Sequence, residues 1–352
     1  MRALSGTRNK LSRWLFLLLA IALFSASLSR AQAAGKNDYE YFVTGSTADV
    51  SSQKPPHSPG LVLMGGGPDV DNAFKWMIQK SGGGNFLIIR ATGTDAYNPY
   101  IFNMGGMASV ATLIIKTRDG ANDPVVIEKI RQAEAIFIAG GDQSDYINFW
   151  SGTDVQTELQ RSADRNVPIG GTSAGLSVLG QFIFAALNGT LTSDEALANP
   201  LNKRITLVRD FLSLPGLGFV ITDAHLDARD RMGRLVTFLA RIVGDGWAGP
   251  QAARGIGVDV DTALVVDRGK ASLVRNPGTS GSVYFLRSTS IPALPFSPKT
   301  PLTYTSVSVQ RMSGAGTFDL DNWASYDGGV VSYSLSVTNG VLTTTQPGGA
   351  IY

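Results

Sequence analysis

Short apolar runs recur along the first two thirds of the chain, each closed by a polar or glycine-rich stretch. Leu61-Val62-Leu63-Met64 ends in Gly65-Gly66-Gly67, and Asp71 to Lys80 has helical spacing. Asn85-Phe86-Leu87-Ile88-Ile89 ends at Ala91-Thr92-Gly93, and Val110 to Ile115 makes a third run. A helix expected around Pro124 to Ala133 leads into Ala135-Ile136-Phe137-Ile138-Ala139, which Gly140-Gly141-Asp142 stops. Unbroken apolar strands alternating with helices predict a mainly parallel sheet covered on both faces. The fold expected for residues 60–270 is therefore a three-layer α/β/α domain, with ligands at the carboxyl ends of its strands. From residue 271 to 352 the pattern turns to Ser, Thr and Gly between alternating apolar positions, as in Ser282-Val283-Tyr284-Phe285-Leu286. That alternation predicts antiparallel strands, read as a β-rich extension packed on the main domain.

The N-terminal stretch follows a different pattern. Arg2, Arg8, Lys10 and Arg13 precede an apolar run from Trp14 to Phe24, and Ala31-Gln32-Ala33 offers small residues for cleavage. This order predicts a secretory signal peptide over residues 1–33. The run is shorter than the roughly twenty residues a membrane span requires, so no stable membrane insertion is expected. Residues 34–59 are polar and close on Lys54-Pro55-Pro56-His57-Ser58-Pro59, the composition of an arm or linker. The expected location is outside the cytoplasm, periplasmic or extracellular.

Composition changes this picture in two places. Five of the 30 basic residues and none of the 28 acidic ones lie within 1–33, which leaves the remainder at a formal net charge of −3. The charge balance thus gives no reason to expect nucleic acid as a partner. The chain has no Cys and only two His, His57 and His225. Disulfides, thiolate metal sites and a Cys nucleophile are excluded, and the search for a catalytic base is short.

Asn166-Val167-Pro168-Ile169-Gly170 reads as a strand entering Gly171-Thr172-Ser173-Ala174-Gly175, and Leu176 to Phe184 as a helix leaving it. In a Gly-x-Ser-x-Gly turn the glycines allow a bend too tight for side chains and present the hydroxyl at the sheet edge. Five residues alone also fit a glycine-rich turn with a bystander Ser. A Ser hydroxyl needs an adjacent base. His225, at the end of the strand-like Val220-Ile221-Thr222-Asp223-Ala224, is the one His in the expected domain. Arg229, Arg231 and Arg234 follow it; they suit bidentate carboxylate binding, or equally a solvated helix start offset by Asp227 and Asp230. Phosphate-loop, zinc-helix and dinucleotide spacings are absent, so no cofactor or metal is expected.

Together, Gly140-Gly141-Asp142-Gln143, Gly170-Gly171-Thr172-Ser173-Ala174-Gly175, Asp223-Ala224-His225 with its three Arg, and Gly255-Ile256-Gly257-Val258-Asp259 resemble the cyanophycinase family of serine peptidases, relatives of aspartyl dipeptidase on a glutamine-amidotransferase-like fold. The resemblance implies Ser173 as nucleophile and His225 as general base, with N–H groups near Gly141 and Ala174 forming an oxyanion hole. It implies that Gln143, Asp223, Arg229, Arg231 and Arg234 line the substrate site. The substrate it implies is cyanophycin, a poly-aspartate with arginine on each side-chain carboxyl, cut to β-Asp-Arg dipeptides. Expected partners are such a peptide or polymer and, at most, a second copy of the chain. Two positions depart from the family. Ala224 replaces a Gln, and Val260 stands where the family carries the Glu that assists the His. Asp259, Asp261, Asp194 and Glu195 are other conceivable carboxylates, although strand alternation would turn Asp259 and Asp261 to the opposite face. Hydrolysis of other β-aspartyl or acidic peptides, or weakly catalytic binding of an acidic ligand, is the alternative expectation.

Overall fold

The computed structural model describes residues 38–47, 57–325 and 328–352. The expected signal peptide lies outside the described residues. Gly35–Tyr352 forms one compact unit.

Its first element is a strand, β1 (Tyr39–Gly45), within the stretch read as an arm. Tyr39 and Tyr41 pack onto the core, and the strand pairs antiparallel with β4, so its β-forming aromatic residues outweigh the polar composition around them. Next come β2 (Leu61–Met64), α1 (Asp71–Ser81), β3 (Asn85–Arg90), α2 (Tyr97–Phe102) and β4 (Ser109–Ile115). α3 (Pro124–Arg131) leads to β5 (Ala135–Ile138), α4 (Gln143–Trp150), α5 (Asp154–Asp164) and β6 (Ile169–Thr172). β2 and β5 are buried at every position, as unbroken apolar runs require. α1 buries Ala73, Phe74, Met77 and Ile78, the stripe of an amphipathic helix, and stops at left-handed Gly82. α3 starts where Asp123 accepts the Val125 N–H, with Pro124 at its first position.

Beyond the serine turn lie α6 (Ala174–Ser177), β7 (Phe182–Phe184), α7 (Ser193–Ala198), β8 (Leu207–Arg209), β9 (Val220–Ala224) and α8 (Met232–Gly244). The helix expected from Leu176 to Phe184 is thus a single turn followed by a strand. Gly180 lies so close to β9 that an added Cβ would sit 2.7 Å from the Val220 carbonyl oxygen. Phe182-Ile183-Phe184 then joins β9 and β8 as the strand its side chains favour. The remaining elements are β10 (Arg254–Val258), β11 (Thr262–Asp267), β12 (Lys270–Arg275), β13 (Val283–Ser288), β14 (Tyr304–Met312), β15 (Phe318–Asp319), β16 (Ala324–Ser325), β17 (Val330–Thr338) and β18 (Val341–Thr344).

Two sheets result. The ten-stranded sheet runs β1-β4-β3-β5-β6-β2-β11-β12-β15-β16, and its centre, β4 to β2, is parallel. The eight-stranded sheet runs β18-β17-β14-β13-β10-β9-β7-β8, with β10, β9 and β7 parallel. Strands beyond residue 271 therefore continue both sheets: β12 pairs with β11, and β13 with β10. One apolar cluster lies between the first sheet and α1 and α2, around Phe74, Phe86 and Phe137. A second joins the opposite face of that sheet to α3, α5 and the second sheet, and includes Leu63, Ile89, Leu159, Ile256 and Phe285. A third packs α8 and α7 on the far face of the second sheet. No helix among the described residues is long and apolar enough to cross a membrane.

Candidate active site

Ser173 stands between β6 and α6 with φ 53° and ψ −115°, a conformation that costs a non-glycine residue about 1–3 kcal/mol. Its neighbours show why the turn is built of glycine. A Cβ on Gly171 would lie 2.5 Å from the Gly175 carbonyl carbon, and one on Gly175 would lie 2.0 Å from the Ile138 oxygen. The backbone crosses itself too closely for side chains, and the serine is what projects.

His225 follows β9, also with positive φ (51°), and its N–H donates to the Gly65 oxygen at 2.8 Å. Its imidazole lies on Gly66, where an added Cβ would come within 2.4 Å of Cε1. The ring meets the serine directly, with 2.8 Å between Ser173 Oγ and His225 Nε2. Burial lowers the imidazole pKa to about 4, and the positive charges of Arg229 and Arg231 push the same way against the opposing charge of Asp223. At neutral pH the ring is therefore uncharged and able to accept the serine proton. The role of Gly65 and Gly66, a seat for the histidine, has no motif of its own; its one signal is a glycine run at the carboxyl end of a buried strand.

Ser173 Oγ is the only hydrogen-bond partner of the His225 ring among the described residues. Of the conceivable carboxylates, Asp259 and Glu195 are engaged elsewhere. Asp259 is buried, accepts the N–H groups of Ser282 (2.8 Å) and Asp227 (3.1 Å), and has its pKa pushed up to about 7, mainly by burial. Glu195 closes the Thr192 capping box at the start of α7 and pairs with Arg204. Asp194 is exposed in the first turn of that helix. Asp261 has φ 55°, so strand alternation does not govern it; its N–H donates to the Gly66 oxygen, and its buried Oδ1 has no partner. Val260 offers the ring no charge.

The three Arg have different surroundings. Arg234 is buried in α8 and grips Asp223 with Nε and Nη2 at 2.8 and 2.5 Å, while its Nη1 reaches Thr190 Oγ1 at 3.0 Å. Its guanidinium stacks on Phe184 and Phe238. Asp223 and Arg234 are thus bound to each other in a buried pair. Arg231 Nη1 donates to the Ala224 oxygen at 2.8 Å and stands 3.6 Å from Asp223. Arg229 is exposed and makes no side-chain hydrogen bond or ion pair among the described residues.

The opposite rim comes from the turn after β5. An added Cβ on Gly140 would lie 3.4 Å from Ser173 Cβ, which puts Gly140 beside the serine. Ala174 opens α6, where the first N–H groups have no intrahelical acceptor. Gln143 begins α4 and reaches the Phe184 oxygen with Nε2 at 3.4 Å. The elements gathered around Ser173 are thus a neutral histidine, the Gly140 turn and the start of α6, with the exposed Arg229 on the connection after His225.

Residues 62–202 match the sequence model of Peptidase family S51. The relationship is to serine-type peptidases. Over 172 residues the chain is 30% identical to a cyanophycinase of Trichormus variabilis, covering 48% of this chain and 51% of that protein. It is 29% identical over 183 residues to a cyanophycinase of Geminocystis herdmanii, covering 51% of this chain and 60% of that one. The chain therefore spans about half to three fifths of the length of the curated relatives it matches. A crystal structure of a peptidase from an acI-B1 Actinobacterium superposes with a TM-score of 0.51 at 18% identity, over 74% of this chain and 97% of that one. That likeness confirms the α/β fold. The S51 match holds the Ser173 turn, and His225 lies beyond its end.

Proposed function

We propose that the chain is a serine exopeptidase that cleaves cyanophycin to β-Asp-Arg dipeptides, and that it is exported to the periplasm or the cell exterior. The observation that carries the catalytic reading is the 2.8 Å approach of Ser173 Oγ to a neutral His225 Nε2. In this mechanism Ser173 Oγ attacks the scissile carbonyl while Nε2 takes its proton. The N–H groups at Gly141 and Ala174 face the developing oxyanion. The protonated imidazole then gives its proton to the leaving amine, and water, deprotonated by the same ring, releases the acyl group from serine. Arg229 would hold a carboxylate of the aspartyl backbone by paired hydrogen bonds. The order of basic, apolar and small residues over 1–33 supports export.

A second reading, slow turnover of other β-aspartyl peptides or mere retention of an acidic ligand, draws support from the unpartnered side of the His225 ring. One experiment separates the two. The purified chain is incubated with cyanophycin and with isoaspartyl peptides, beside a Ser173→Ala variant, and both are treated with a fluorophosphonate probe. The expected outcome is release of β-Asp-Arg, lost by a factor on the order of 10⁴ to 10⁶ in the variant, with the probe on Ser173. Equal inertness of both proteins toward every substrate and the probe would sink the enzymatic reading.

A further inference from the structure

Tyr352 lies 127 positions beyond His225 in sequence, yet its hydroxyl sits on the connection that carries His225 into α8. The phenol oxygen accepts the Met232 N–H at 3.0 Å and donates its proton to Asp230 Oδ1 at 2.8 Å. Met232 opens α8, and the residue before it, Arg231, supplies no side-chain cap. The first N–H groups of a helix need an acceptor from outside the helix. Here a tyrosine eight residues past the end of β18 provides one. The Tyr352 ring packs edge-on against buried Tyr284, and Tyr333 holds the preceding residue by donating to the Ile351 oxygen at 2.9 Å.

The rest of the connection is pinned in the same manner. Asp227 donates its N–H to Asp259 Oδ1 and accepts the Val260 N–H on Oδ1, while Ser193 Oγ donates to the Asp230 carbonyl oxygen. The Tyr352 contact is the one that holds both the Asp230 carboxylate and the helix start. Asp230 itself has positive φ (45°), a strained conformation that needs support. Arg229, the free cation of the site, immediately precedes it.

We propose that Tyr352 is a positioning residue: its hydroxyl latches residues 226–232 and thereby fixes His225 against Ser173 and Arg229 at the rim. The proposal rests on the reading of Ser173 and His225 as the reacting pair. It is tested on the full chain with Tyr352→Phe, Asp230→Ala, Asp230→Asn and the Tyr352→Phe/Asp230→Ala double variant, by fluorophosphonate labelling of Ser173 and by amide exchange over 226–234. Tyr352→Phe and Asp230→Ala should each label roughly tenfold more slowly, because small misplacements of reacting groups cost that much or more. The double variant should be no slower than either, and Asp230→Asn, which keeps an acceptor oxygen, should label near the wild-type rate. Exchange over 226–234 should rise in the slow variants and stay low in Asp230→Asn. Wild-type labelling and exchange in Tyr352→Phe would overturn the latch, as would an Asp230→Asn variant as slow as Asp230→Ala. If the wild-type chain itself were unlabelled, the enzymatic reading would fall and exchange alone would decide. Faster exchange in Tyr352→Phe would then uphold the latch, and unchanged exchange would end it.

Discussion

His225 keeps its imidazole neutral far below the usual histidine range because burial and the charges of Arg229, Arg231 and Arg234 outweigh the carboxylate of Asp223. Its folded pKa, about 4, lies below the roughly 6.5 of an unfolded histidine, so the unfolded chain binds more protons between these values. The group's contribution to stability therefore falls as pH drops through that window, and a rate that needs the neutral ring keeps its acid limb near pH 4. Val260→Glu tests what the ring lacks. A carboxylate beside the imidazole raises its pKa and stabilises the cation formed during attack. The acid limb of Ser173 labelling should move upward, and the rate at pH 8 should rise about tenfold or more. An unmoved limb would show that position 260 does not face the ring. The meeting of Ser173 with His225 was legible in the sequence because their signals are local: a five-residue turn, and the lone histidine of its region. The seat at Gly66 and the grip of Tyr352 were not, since each is a contact between distant segments.

Among the elements, β9 and α8 are joined by the buried pair of Asp223 and Arg234. The resemblance placed both in the substrate site. The structure gives them to each other and leaves Arg229 outward, a division of labour that residue spacing does not encode. Asp223→Ala would strand a guanidinium with 2% side-chain exposure. Removing one member of such a pair costs about 3–5 kcal/mol, because the other charge stays buried without compensation. Urea unfolding should show that loss, and a shift under about 1 kcal/mol would mean the guanidinium finds water or a new partner. The short α6 was hidden for a related reason. Leu176 to Phe184 is apolar enough for a helix, and only the closeness of Gly180 to β9 and the pairing of Phe182 with Ile221 turn it into a strand.

For the whole molecule, the alternation beyond residue 271 correctly announced strands, but which sheets they would complete could not be read from it. β14 and β17 bury Val307, Val309, Leu335 and Val337 without exposure. At about 1.5–3 kcal/mol for each such side chain, these four approach the entire 5–15 kcal/mol of a typical domain's stability. A chain ended after Ser288 should show no cooperative thermal transition by circular dichroism. A melt like that of the full chain would make residues 289–352 an appendage. The two-sheet plan has one more consequence. Ser173 leaves the first sheet at the end of β6, and His225 leaves the second at the end of β9. The contact between Ser173 and His225 is therefore a calliper closed across two sheets of one compact unit. Any slip of one sheet past the other opens it before a single strand is lost, so the chemistry gauges the alignment of the sheets more finely than any spectrum of the fold.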